Sequence, residues 1–238
     1  MKLILSSLLL FSAMVCNAQR VIDVNQVDVT PTRGLFYVVG GHPFSMAKYT
    51  KVTEGSPFFN DNWMWGSVII KSGKQYDSQL LRLDLIDNEV HYLDSAGIEM
   101  ISTDAIVEVL MKDSLSGKIY RFVHSSAIAV PKSERPASGW YHLLTMGSVN
   151  LFRKFQKEIV ETRPYGAATY EEAIKTISLF FVAYKNTFIR IKKIKDLPDI
   201  LIDKQAELNN FINRKNLAGR TESDYIAVVE YYNSLQPK

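Results

Sequence analysis

Residues 58–67, FFNDNWMWGS, place four aromatic side chains around one carboxylate and two amides. Aromatic faces beside amides and a carboxylate suit sugar or peptide binding, and tryptophan offers both an apolar face and an N–H donor. The residues that would make such a contact are Phe58, Phe59, Asp61, Asn62, Trp63 and Trp65. The competing account is that this segment folds back to plug one end of a sheet, since tryptophan is highly buried on average. A second run, RIKKIK at residues 190–195, holds Arg190, Lys192, Lys193 and Lys195. A basic strand edge can meet anionic headgroups or an envelope polysaccharide. Lysines on an exposed strand also keep it from pairing with another chain, and for so short a run that account weighs more.

Other chemistry is sparse. The four histidines, His42, His91, His124 and His142, stand at none of the HxH, HxxxH or HExxH spacings of a local zinc site, so no metal and no cofactor is expected. There is no GxSxG elbow and no phosphate-binding glycine loop, and no catalytic residue is marked. Glu171 and Glu172 follow Thr169 in TYEE, which has the form of a capping box and predicts a helical turn. A hydrolase built on Asp61 and Glu108 would need both acids about 5–10 Å apart in one cleft, and the sequence does not place them so.

The stretch SAMVCNAQR contains Cys16, the one cysteine of the chain. Residues 1–18 read as a secretory signal: Lys2, then an apolar run to Phe11, then small residues fitting a cut after Ala18. That run is far shorter than the roughly 20 residues of a membrane-crossing helix. Val15 before Cys16 disfavours a lipoprotein, so Cys16 is expected to leave with the signal, taking thiol and disulfide chemistry with it. The expected location is the periplasm or outer envelope. The 28 basic and 25 acidic residues give a net charge of only +3, which excludes a global case for nucleic-acid binding. At 47% hydrophobic the chain is globular.

The elements that must position these residues are mostly strands. After a lead-in over 19–33 and a short strand at 35–39, apolar and polar residues alternate in LLRLDLI and KIYRFVH. Short strands recur about every 8–12 residues with turn chemistry between them, at Ser72-Gly73, Asp87-Asn88, Ser95-Ala96-Gly97 and 114–117, so an antiparallel meander is expected. A loop falls at 133–139, followed by a hairpin from 140 onward. Residues 149–160 fit either a strand or a helix, because Leu151, Phe155 and Ile159 are spaced by four. Lys185-Asn186 turns a second hairpin, with Ile189 and Ile191 inward and Arg190 and Lys192 outward. In the C-terminal segment Pro198 suits a first helical position, Gly219 a helix end, and Thr221 with Asp224 a second helix start. The expected fold is therefore α+β: a β-rich body over 34–195, with a loop break near 131–139, and a helical hairpin over 196–238.

Taken together, the Gly-Ser-Pro-aromatic stretch at 55–59, the glycine-started strand and GK-x-Y hairpin at 66–76, the leucine-rich strand at 80–86 and the terminal YYNSL at 231–235 resemble an uncharacterised family of exported Gram-negative envelope proteins. The resemblance implies a signal peptide, a β-rich body and a C-terminal helical segment. It brings no known reaction and transfers no catalytic residue. The reading is an exported protein with a non-enzymatic binding or scaffolding role, its partner another envelope protein or a polysaccharide. The alternative is a secreted hydrolase acting on cell-wall or glycan substrates.

Overall fold

The computed structural model describes residues 41–44, 49–163, 166 and 170–237. The signal segment, the lead-in and the strand expected at 35–39 lie outside the described residues. Among the described residues twelve strands share one sheet: β1 (Gly41–Pro43), β2 (Val52–Glu54), β3 (Met64–Ile70), β4 (Gln75–Leu83), β5 (Val90–Leu93), β6 (Glu99–Ser102), β7 (Ile106–Lys112), β8 (Ile119–His124), β9 (Trp140–Thr145), β10 (Asn150–Thr162), β11 (Glu171–Tyr184) and β12 (Thr187–Ile191). Helices α1 (Asp196–Ile200), α2 (Gln205–Lys215) and α3 (Glu222–Ser234) follow. The fold is α+β on an open, mixed, largely antiparallel sheet.

The hydrogen-bonded order is β1-β6-β5-β4-β3-β7-β8-β9-β10-β11-β12. This departs from a simple meander at β1, which pairs with β6, at β2, which pairs with β11 off this path, and after β6. The chain leaves β6 and returns beside β3, four places away, through residues 103–105 alone. Four strand spacings in a flat sheet come to roughly 19 Å, whereas so short a link spans about 14 Å. The sheet must therefore coil, in the sense of its natural twist. Coiling brings Tyr92 and Met100 of β5 and β6 into one cluster with Ile106 of β7, together with Val68, Leu81, Leu83, Val109, Met111 and Phe122. Gly66 lets β7 come close: a Cβ there would lie 2.0 Å from the Leu110 carbonyl oxygen.

Residues 49–63 form a strap across this coil. β2 lies parallel to the start of β11, Glu172 opposite Val52. Gly55, at φ +83°, passes where a Cβ would meet the Ile174 carbonyl oxygen at 2.4 Å. Farther on, the Phe59 amide donates to the Leu83 carbonyl (2.8 Å) and the Leu85 amide to that of Pro57 (2.9 Å). The strap thus joins the β11 side of the sheet to the end of β4.

Residues 150–160 are strand, and Val149 lies just before it. A spacing of four keeps side chains on one face of a strand as well as of a helix, so the pattern could not separate the two. What separates them is the partner: β10 pairs with β11 over thirteen residues, from Asn150↔Ala183 to Thr162↔Glu171. The same pairing replaces the helical turn expected at 169–172, since Glu171 and Glu172 begin β11 instead. β11 and β12 form the expected hairpin, with Lys185 and Asn186 both at positive φ. Ile191 is buried and Arg190 exposed.

The helices lie on the β9–β12 side. Leu208 and Ile212 of α2 and Tyr225, Val228, Val229 and Tyr232 of α3 pack with Val149, Leu151, Val182 and Ile191. Each such burial contributes about 1.5–3 kcal/mol, more than the intrinsic stability of helices this short. Both apolar stripes are consumed within the chain. Thr221 and Asp224 start α3 as expected, and they do so as a capping box. Pro198 is the third residue of α1, two places later than expected, and the Asp196 carboxylate instead receives the amides of Lys192 and Lys193. α2 ends on Asn216 in the left-handed conformation, not on Gly219. The opposite face of β8–β10 is covered by Ile128 and Val130 of the 125–139 loop, packed with Val123, Tyr141 and Phe152.

Candidate binding surface

The aromatic run divides in two. Phe58 and Phe59 are structural. Phe58 is 5% exposed and bridges to Asp84, with the Arg82 guanidinium 4.1 Å from its ring and Phe44 and His91 edge-on. Phe59 points the other way, edge-on to Tyr120 and Phe122 at 4.8 Å and to Phe155 at 5.2 Å. Lys157 pins this part of the strap from β10, donating to the carbonyls of Ser56 (2.7 Å) and Phe58 (2.5 Å). Burial pushes the lysine pKa down, offset in part by Asp61 and Asp84. These two phenylalanines are therefore packed within the fold.

The second half of the run faces outward. Asp61 and Asn62 are exposed, Trp63 is half-buried and Trp65 is 41% exposed. Asp61 accepts the Ser56 hydroxyl, and the Asn60 side chain caps the Asn62 amide at 2.9 Å. Trp63 stacks on Arg82, its ring centre 4.3 Å from the guanidinium carbon. Arg82 in turn donates to Glu99 Oε1 (2.6 Å), which also meets His91 Nδ1 (2.7 Å). His91 is fully buried, and its Nε2 lies 3.7 Å from the Glu89 carboxylate. A salt-bridged arginine at the back of Trp63 loses little further freedom on binding, so the indole is held ready for a partner.

Register extends this surface across the sheet. Trp65 stands opposite Lys112, and Lys112 opposite Ile119, so the three share one face at one end of β3, β7 and β8. The β7–β8 turn and the turn after β9 leave from that same end, and they expose Leu115 and Met146. Sequence reasoning missed both. The usable signal was Leu115 itself, a large apolar residue at the apex of a turn otherwise made of Asp, Ser, Gly and Lys.

Arg190, Lys192, Lys193 and Lys195 are all exposed, on and after the terminal strand β12. The structure does not bring them to the tryptophans, which sit on β3 and the segment before it. Glu108 is gripped by Arg121 through two bonds, 2.7 and 2.9 Å, while Asp61 is tied to Ser56. Among the described residues no three His, Cys, Asp or Glu side chains are grouped to hold a metal ion, and no helix is long and apolar enough to cross a membrane.

A second polar network joins the sheet to α3. Glu222, half-buried, receives Arg153 at 2.7 Å and lies 3.5 Å from Lys118. Its pKa is lowered: burial acts upward, but the Arg153 bond and the charges of Lys118, His142 and Arg153 outweigh it. His142 lies beneath, 4% exposed and stacked on Phe122 and Phe155. Burial pushes its imidazole down to about 4.

Fold and surface define a β-rich α+β protein that presents an aromatic, lysine-flanked edge on a coiled sheet. No family model, curated protein or solved structure matches the chain.

Proposed function

We propose that this is an exported envelope protein with a non-enzymatic binding or scaffolding role, and that Trp63, Trp65, Asp61 and Asn62 meet its partner. The observation that supports the reading is Trp63 stacked on an arginine that Glu99 already fixes, two residues before the exposed Trp65 of β3. Aromatic anchors on a stiff support are what binding energy concentrates on. Another envelope protein or a polysaccharide fits such a surface. The hydrolase alternative draws less support, because Glu108 is held by Arg121 through two bonds and Asp61 is tied to Ser56.

A photo-crosslinking residue at position 65, compared in cells with one at exposed Lys215 on α2, tests the reading. Capture of the same envelope component from position 65 alone is expected. Equal capture from both positions would refute it, as would turnover of cell-wall fragments by the purified protein.

A further inference from the structure

Resting on the binding role above, the geometry points to a lipid bilayer as the surface on which the protein works, entered by the edge that carries Trp65, Leu115 and Met146. These three are 41%, 90% and 62% exposed, and they come from a strand and two separate turns that meet at one end of the sheet. Single exposed apolar residues are ordinary; a convergent group of large ones marks a contact surface. Leu115 is held outward by its turn. The Asp113 carboxylate accepts the Leu115 amide at 2.8 Å, and the Asp113 and Gly117 amides bond back across the turn to Lys118 and Asp113. Met146 is placed by Arg121, whose Nη1 lies 3.0 Å from its sulfur.

Charge at this edge suits anionic headgroups. Lys112 is exposed just behind the apolar tips, opposite Ile119, while exposed Lys118 in the adjoining turn also reaches Glu222 at 3.5 Å. The nearby carboxylates are already occupied: Glu108 by Arg121, Glu222 by Arg153 and Lys118, Asp113 by turn amides, and Asp61 by Ser56. Apolar tips with a tryptophan at their margin and lysines behind are the arrangement of an interfacial anchor: tips among the acyl chains, indole at the headgroups, ammonium groups at the phosphates. A flat protein partner would leave a leucine at a turn apex only partly covered, whereas a fluid bilayer surrounds it.

The test uses the full purified protein with sedimenting vesicles of phosphatidylcholine alone or of phosphatidylethanolamine mixed with phosphatidylglycerol. Binding to the anionic vesicles is expected, with a blue shift and bromolipid quenching of tryptophan fluorescence that Trp65→Phe largely removes, half-buried Trp63 keeping the remainder. Trp140 is 3% exposed and cannot supply that signal. Leu115→Asn with Met146→Gln should cut the partition coefficient roughly tenfold, while circular dichroism and the urea midpoint stay unchanged. Lys112→Glu should lower anionic-vesicle binding at least about fivefold. Failure to sediment with either vesicle overturns the inference, as does binding that the double variant leaves intact. Sedimentation with insoluble peptidoglycan but not vesicles overturns it in favour of a polysaccharide. If vesicles fail while position 65 still crosslinks a specific envelope protein, the lipid inference falls and the binding role stands.

Discussion

Replacing His142 by phenylalanine should make the protein less sensitive to mild acid. The imidazole lies between Phe122, at 5.2 Å and 29°, and Phe155, and its Nδ1 has no hydrogen-bond partner among the described residues. Burial holds its pKa near 4 against 6.5 for the free side chain. As pH falls, the unfolded chain takes up this proton first. The contribution is therefore fully present above pH ~7, begins to fail near pH 6.5 and is gone below pH ~4. Between pH 7.5 and 5.0 the loss works out at about 2 kcal/mol, from the linkage relation at 1.36 kcal/mol per pH unit. With a urea slope of about 2 kcal/mol/M, the midpoint should drop by roughly 1 M. His142→Phe keeps the stacking and removes the titration, so most of that drop should vanish. Burial also lowers the pKa of His124, which leaves a residual slope of the same sign. Urea titrations of both proteins at the two pH values decide the matter. An equal drop in wild type and His142→Phe would refute the burial argument.

Three further outcomes follow from particular contacts. Lys157→Met leaves the carbonyls of Ser56 and Phe58 without their donor, so it should cost about 1–3 kcal/mol in urea and speed proteolysis within 49–63. Asn233 bonds the Val149 amide and carbonyl, both at 2.9 Å, and Asn233→Ala should cost about 2 kcal/mol while hydrogen exchange at the Val149 amide accelerates. Glu222→Gln weakens the tie to Arg153 and should make α3 exchange faster at its first turn, with little change at Tyr232, a prediction that uniform exchange along the helix would contradict.

Much of this architecture is legible in the residues because most signals are local. Period-two alternation marks Leu81 and Leu83, Ser72-Gly73 marks the first hairpin, and Thr221 with Asp224 marks the start of α3. What escaped the sequence is set by long-range pairing. The β6–β7 return beside β3 depends on sheet coiling, which no local pattern encodes. TYEE carries good helix-start chemistry, yet β10 offers Glu171 and Glu172 a strand partner, and the ladder outweighs the cap. At the surface, the tryptophans were visible as types but not as positions. Phe58 and Phe59 differ by one place in sequence and point to opposite sides of the strap. Leu115 and Met146 are 31 residues apart and meet only through the register of β7, β8 and β9.

The strap also orders events in time. Residues 52–54 find their place only against β11, more than a hundred positions later, and Lys157 seals the same crossing from β10. A chain emerging from its N-terminus can pair β3 with β4 early, but its coil stays unlatched until residue 173 is available. Such separation between contacting residues makes folding slow, because the loop must close before the contacts reward it. Roughly three quarters of the polypeptide thus has to be present before the strap is locked. A protein wired in this way remains threadable through most of its synthesis and then closes with its last strands.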